Sequence, residues 1–255
     1  MNTLISILLS IINNTLADNT TREIAVQLLK AYPELESIKA SQIAERSFCN
    51  TSTVNRFCKS IGFQSFLDLK SFMMSSHSVR QAQLKHHLDL SDDKRILNNI
   101  SVLCNGGFDE KDFVEHCRAF NETVFKAPHA IVVGAVYPEA LTFHYMEDMI
   151  EMGKCIYNAP IARQLNVPNE ETDTAVILIS FTGRLIRYCA SEFNTICEKY
   201  PHAIVMTADK DLISSTSPEK VFPLPFNGDD EANNAAFIEI MRYLKYDYYV
   251  RYYKG

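Results

Sequence analysis

The stretch from Ser41 to Phe66, SQIAERSFCNTSTVNRFCKSIGFQSF, constrains the fold more than any other. Ile43 and Ala44 mark one short helix, and Val54, Phe57, Cys58 and Ile61 recur at three- and four-residue spacing to mark a second. Neither is long enough to stand alone, so each must pack on the other and on a neighbouring helix. Asn50 suits an N-cap, because its side-chain oxygen can accept from the free N–H groups of the following turn. Gly62 suits the C-terminal stop, where a positive φ is needed. The second helix is left with Thr51, Ser52, Thr53, Asn55, Arg56 and Lys59 on its outer face, and no carboxylate occurs between Glu45 and Asp68. A polar, basic face of this kind fits a helix that reads the major groove of double-stranded DNA, although a merely solvated face has similar composition.

Charge separates this head from the rest of the chain. Residues 21–88 hold nine Lys and Arg against five Asp and Glu, a balance of +4, so a total of −6 leaves −10 elsewhere. A basic head on an acidic body favours nucleic acid at one end only. Seven cysteines form no C-x-x-C pair and are an odd number, which reads as reduced thiols in a cytoplasmic protein and excludes a disulfide framework or zinc site. The apolar run Leu4–Ile12 is too short for a membrane span and has neither a basic leader nor a small-residue cleavage site. It reads as an amphipathic helix ending near Asn13, packed on the head or on a dimer mate.

Before the central stretch, Thr20 or Thr21 is placed to cap a helix running to Lys30, with Ile24, Ala25, Leu28 and Leu29 as its buried stripe and Pro33 as its stop. After it, Phe66 to Met74 predicts a closing helix. Composition then turns polar from Ser75 to Asn105, the pattern of a partly helical linker ending at Asn105-Gly106-Gly107. His77, His86 and His87 lie in this segment, but the adjacent pair points to different sides of a helix, and no metal site is expected.

Beyond a helix near Glu110 to Thr123, strands and helices alternate. Ala130–Val133, Cys155–Tyr157, Ala175–Ile179, Ala203–Met206 and Val221–Leu224 read as strands, with helices over Leu141–Met152 and Leu185–Glu198. Alternation of this kind gives a parallel sheet with helices on both faces, and ligands on such sheets bind beyond the carboxyl ends of the strands. Two strand ends therefore matter, Gly134–Glu139 and Ser180–Arg184. In the second, Ser180, Thr182 and Gly183 can hold a phosphate or sugar oxygen, with Arg184 and Arg187 close enough to neutralise it. The closing helix after Asp229-Asp230-Glu231 carries Tyr243, Tyr246, Tyr248, Tyr249, Tyr252 and Tyr253, a composition that suits either an interface or packing across the sheet.

Thr53, Val54, Arg56, Phe57, Cys58, Gly62, Phe63 and Phe66 together resemble the signature of the RpiR family of bacterial sugar-responsive transcriptional regulators. That resemblance implies an N-terminal helix-turn-helix and a C-terminal sugar isomerase (SIS) domain that binds a sugar phosphate. Ser180, Thr182 and Gly183 match the family's phosphate loop, whose closing hydroxyl is Leu185 here. In the first loop Val136 and Pro138 stand where the family has Gly and Ser, and Pro removes both a donor and a hydroxyl.

The expectation is thus an all-α helix-turn-helix domain over residues 1–76, a partly helical linker over 77–106, and an SIS-like α/β effector and dimerisation domain over 107–255. DNA would be contacted by Thr51, Ser52, Thr53, Asn55, Arg56 and Lys59, and a sugar-phosphate effector by Ser180, Thr182, Gly183 and Arg184. No cofactor, metal, membrane or catalytic residue is expected, and the assembly is a homodimer or dimer of dimers. Two alternatives stand beside this regulator. One is a sugar-phosphate isomerase, for which His144, Glu147 and Asp148 would supply the base from one helix face. The other is an oligomerisation protein with a degenerate pocket.

Overall fold

A computed structural model describes residues 3–14, 17–34, 36–159, 165, 167 and 170–254. The head begins with α1 (Thr3–Asn13), α2 (Asn19–Lys30), α3 (Ala40–Arg46) and α4 (Thr51–Ser60). The cap of α2 is Asp18, one turn earlier than the threonines suggest: its carboxylate accepts from the Thr21 N–H at 2.9 Å. Helices α3 and α4 form the expected motif. Asn50 accepts from the Thr53 N–H at 2.9 Å, and Gly62 has φ +99°.

The turn between α3 and α4 contains a feature with no sequence signal. Ser47 ends α3, the Cys49 N–H reaches back to the Ala44 carbonyl at 2.9 Å, and Phe48 between them has φ +51°. This left-handed closing position ordinarily belongs to glycine. The Phe48 ring is 95% exposed, so no packing offsets the backbone strain. Phe48→Gly is therefore expected to stabilise the chain by about 1 kcal/mol, raising Tm by roughly 2–4 °C in a thermal melt.

Helix α5 (Phe66–Asp89) is one continuous helix that runs through the expected boundary at residue 76. The polar stretch after Met74 lacks Gly and Pro, and Leu84 and Leu88 are buried beneath it, so nothing stops the helix until Leu90. Helices α6 (Asp93–Leu103) and α7 (Glu110–Lys126) lead into the body, with Asn105 and Gly106 both at positive φ between them.

Among the described residues the body holds five parallel strands, β1 (Ala130–Gly134), β2 (Ile156–Asn158), β3 (Ala175–Ile179), β4 (Ala203–Thr207) and β5 (Val221–Pro223), in the order β2-β1-β3-β4-β5. Registers such as Val132 opposite Ile177 and Leu178 opposite Val205 carry the ladder. Every residue of β1, β3 and β4 is buried, as a parallel sheet covered on both faces requires. Each buried Val, Ile or Leu contributes roughly 1.5–3 kcal/mol. The connections are α8 (Val136–Ala140) with α9 (Phe143–Glu151), α10 (Arg184–Tyr188) with α11 (Ala190–Lys199), and α12 (Lys210–Ser215), before the long α13 (Asp230–Tyr248). The helix expected over Leu141–Met152 is α9, and the short α8 before it is set off where the Thr142 hydroxyl donates to the Glu139 carbonyl at 2.7 Å. The helix expected as a single piece over Leu185–Glu198 is broken, because Cys189 leaves the helical region.

Helix α1 packs on α2, as expected, and also on β2 and α9 of the body. Its Leu4, Ile5, Leu8, Leu9 and Ile12 are all buried within the chain. The C-terminal tyrosines are likewise used internally. Tyr243, Tyr248 and Tyr249 are buried, the Tyr249 hydroxyl donates to Asp89 at 2.9 Å, and the Tyr252 ring stacks on Phe125 at 4.2 Å.

Candidate nucleic-acid interface and effector cleft

Helix α4 presents Thr51, Ser52, Arg56 and Lys59 as exposed residues, with Thr53 and Asn55 half-buried. The Asn50 carboxamide oxygen gathers the Thr53 N–H, the Ser52 hydroxyl at 2.7 Å and the Thr53 hydroxyl at 3.0 Å. This ties the first turn into one rigid unit and leaves hydroxyl lone pairs outward. Arg56 donates to Thr53 Oγ1 at 3.1 Å, so its guanidinium is pre-positioned along the outer face. Asn55 is differently placed: its oxygen accepts from the Phe66 N–H at 3.1 Å and so braces the start of α5. Among the described residues Thr51 and Lys59 have no side-chain partner, and they are the freest groups on the helix.

The second site lies where theory places it, beyond the carboxyl ends of the strands at the β1/β3 switch point. An open cleft of about 770 Å³ is bounded by Tyr137 and Pro138 after β1, Ser180, Thr182 and Arg184 after β3, and Lys210 after β4. At Gly134 the strands approach so closely that a Cβ would stand 3.0 Å from the Ile179 carbonyl oxygen. Pro138 falls in the first turn of α8, where a missing N–H breaks no helical bond, so the departure at this loop is structurally silent. Its consequence is chemical, because Pro138 brings neither an N–H nor a hydroxyl to the β1 side of the cleft, where Tyr137 supplies a phenolic hydroxyl.

On the β3 side, Gly183 has φ +68°, and a Cβ there would meet the Asp209 carboxylate at 2.7 Å. That carboxylate caps α12 through the Leu212 N–H at 2.9 Å and also pairs with Arg187. Arg187 is thus committed to Asp209 and does not line the cleft, which corrects the expectation that it helps neutralise a ligand. Arg184 bonds Thr182 Oγ1 at 3.2 Å and faces the cleft. Lys210, which sequence reasoning missed, supplies a second cation. The signal was available, since the end of β4 belongs to the same rim as the ends of β1 and β3. Helix α10 spans only five residues, so its dipole adds little, and the hydroxyls and cations carry the site.

His144, Glu147 and Asp148 do not meet the cleft. Glu147 accepts from Ser6 of α1, and Asp148 is held by Arg80 of α5 and Lys245 of α13, each at 2.6 Å. Burial alone would push the Asp148 carboxyl up, but the Lys245 ammonium, together with His144 and Arg80, outweighs it and holds the carboxyl below its usual range. One turn on, Glu151 receives the Tyr32 hydroxyl at 3.1 Å and His77 Nδ1 at 2.8 Å. These carboxylates join head to body, and none is placed to move a substrate proton.

Geometry and topology together define a helix-turn-helix head on a doubly wound α/β body. Residues 7–80 match the family model described as the helix-turn-helix domain of the rpiR family. No curated protein matches the chain. Among solved structures, a hypothetical protein of Methanococcus jannaschii, for which a molecular function of 3-hexulose-6-phosphate isomerase is inferred, is similar at 13% identity and a TM-score of 0.47, over 62% of this chain and 89% of that one. The Vibrio vulnificus NanR protein complexed with ManNAc-6P is similar at 14% identity and a TM-score of 0.42, over 98% of this chain and 94% of that one. No helix among the described residues is long and apolar enough to cross a membrane.

Proposed function

We propose that the chain is a cytoplasmic, non-enzymatic transcriptional regulator of sugar or amino-sugar metabolism genes, whose SIS-like body responds to a sugar-phosphate-like metabolite. The observation that carries this reading is the capped, basic, carboxylate-free face of α4 inside a head that matches the rpiR helix-turn-helix over residues 7–80. Residues 1–76 act as the DNA-binding unit, 77–106 as the connector and 107–255 as the effector and dimerisation body. Arg56 and Lys59 contact phosphates or base edges, with Thr51, Ser52 and Thr53 beside them and Asn55 mainly a brace. Ser180, Thr182, Gly183 and Arg184 hold the effector, joined by Lys210, because Pro138 brings no donor to the opposite wall and leaves it the Tyr137 hydroxyl. Charge-assisted bonds from two cations are about twice as strong as neutral ones and suit a phosphorylated ligand.

The test is a salt-dependent gel shift on the DNA immediately upstream of the protein's own gene, repeated with a panel of hexose and amino-sugar 6-phosphates. Lys59→Ala is expected to weaken binding to every sequence and lower the salt slope by about one, and the Arg56→Ala, Lys59→Ala pair to abolish the shift. Unchanged affinity and slope in the folded double variant would overturn the DNA assignment. In calorimetry, binding of a panel member that disappears in Thr182→Val supports the cleft, and silence across the panel excludes a sugar-phosphate effector.

A further inference from the structure

The cleft beyond the strand ends carries opposite charges on different walls, and one of those walls belongs to α13. Asp230 and Asn234, one turn apart on that helix, line the same cleft as Arg184 and Lys210. Strands β3 and β4 are neighbours, with Ile179 opposite Met206, so the two cations follow adjacent strand ends. Asp209 also borders the cleft but is taken up by Arg187 and by the cap of α12. Among the described residues Asp230, Asn234 and Lys210 have no side-chain partner, so Asp230 and Lys210 border one cleft without pairing with each other. The first turn of α13 is held firmly in place. Asp229 caps it through the Ala232 N–H at 2.9 Å, and the Asn233 carboxamide accepts from the Gly228 N–H at 3.2 Å and donates to the Gly228 carbonyl at 2.9 Å. Phe181 ties this turn to the Ser180–Arg184 loop, edge-on to Phe226 at 4.9 Å and to Phe237 at 4.8 Å. Of the three acidic residues at this helix start, Asp229 is the cap and Glu231 does not line the cleft, which leaves Asp230 as its unpaired carboxylate.

We propose that Asp230 selects the charge of the effector: a sugar phosphate that carries a free ammonium at the end of the ring remote from its phosphate. This rests on the sugar-phosphate reading given above and narrows it. The phosphate goes to the wall of Ser180, Thr182, Arg184 and Lys210, which offers hydroxyl donors and two positive charges. It is excluded from the start of α13, where Asp229 already occupies the cap and Asp230 adds a like charge. A carboxylate only accepts, so Asp230 calls for donors at the other end of the ligand. An ammonium supplies three donors and the opposite charge, a hydroxyl one donor and no charge, and an acylated amine one donor with the charge lost. A second acid on the ligand would meet Asp230 as a like charge, so carboxylated sugar phosphates are selected against. Asn234, one turn along, can donate or accept and so serves a neighbouring ring hydroxyl. A ligand positive at one end and negative at the other thus pairs the charges that the chain leaves unpaired across the cleft.

The test is calorimetry on the full-length chain with glucosamine 6-phosphate, glucose 6-phosphate, N-acetylglucosamine 6-phosphate and 6-phosphogluconate. The first three differ only in the substituent beside the anomeric carbon, and the last carries a second acid. Glucosamine 6-phosphate is expected to bind about tenfold tighter than its hydroxyl and acetamido counterparts, and 6-phosphogluconate the most weakly. Asp230 is exposed and is not the cap, so Asp230→Asn keeps the fold and the shape but removes the charge. It should erase the preference for the amine while leaving glucose 6-phosphate within about twofold of its wild-type affinity. Glu231→Gln removes the same charge from the same turn outside the cleft and should leave the preference as it is, which separates contact from the general field of the helix start. Equal affinities for the amine and the hydroxyl sugar, tighter binding of the acetamido or acid sugar, or a preference that survives Asp230→Asn overturns the proposal. In each of those cases binding that is lost in Thr182→Val leaves the sugar-phosphate reading standing, whereas silence across all the ligands removes both.

Discussion

Asp148→Ala is expected to destabilise the protein by about 3–5 kcal/mol, the usual result of removing one partner from a buried ion pair. Asp148 lies at 1% side-chain exposure, and Lys245, 2.6 Å away, is at 4%. Without the carboxylate the Lys245 ammonium stays buried with no counter-charge, and Arg80 loses its 2.6 Å contact at the same time. The three residues come from α9, α13 and α5, so the loss acts where the head is seated on the body. A domain of ordinary stability has only about 5–15 kcal/mol to lose. The measurement is urea unfolding, read as a lower midpoint with an unchanged slope. Asp148→Leu combined with Lys245→Met should recover most of the loss, because two apolar groups replace two charges that had to be desolvated. A double variant as unstable as Asp148→Ala would mean that the charges are not the cause. The same pair predicts acid sensitivity. The folded carboxyl titrates below its unfolded value of 3.8, so its contribution is present above that pH and is lost as pH falls through the lower folded value.

This joint marks the boundary of what the sequence makes legible. The motif helices, the Asn50 cap, the Gly62 stop and all five strands follow from periodicity and local turn chemistry, which act over a few residues. The roles of His144, Glu147 and Asp148 do not, because their partners Ser6, Arg80 and Lys245 lie 68 or more positions away in the chain. Spacing on one helix face shows that such groups are neighbours, but not whether they look into a cleft or into another helix. Arg187 illustrates the same limit at closer range. It sits beside the ligand loop in sequence, but Asp209 from the next crossover takes its guanidinium. Polar composition after Met74 suggests a linker for a different reason. Helix α5 buries only a thin stripe there, Leu84 and Leu88 on one side and the ionic contacts of His77 and Arg80 above them, so a continuous helix carries little hydrophobic periodicity.

A second large effect is expected at Glu139, which sits in α8 at 2% exposure directly behind the β1 wall of the cleft. Burial pushes its carboxyl from 4.5 up to about 7, against the opposing pull of hydrogen bonds from Asn158 and the Gly134 backbone. Asn158 donates to Glu139 Oε1 at 2.6 Å, while Asn158 Oδ1 is buried with no partner. A protonated Glu139 carries the O–H donor that such an environment favours, and a carboxylate does not. The sign of the linkage follows from the two pKa values. Between about 4.5 and about 7 the unfolded chain has released this proton and the folded chain still holds it, so stability falls as pH rises through that window and levels off above it. At 1.36 kcal/mol per unit, the full swing is about 3 kcal/mol. Glu139→Gln keeps the shape and the acceptor but cannot ionise, so it should match the wild type near pH 4.5 and exceed it by about 2–3 kcal/mol at pH 8. Unfolding midpoints measured at both pH values decide the matter. A gain of the same size at each pH would reflect packing alone, whereas a gain present at pH 8 and absent near pH 4.5 places the titrating proton beneath the cleft, on the crossover that shapes its β1 wall.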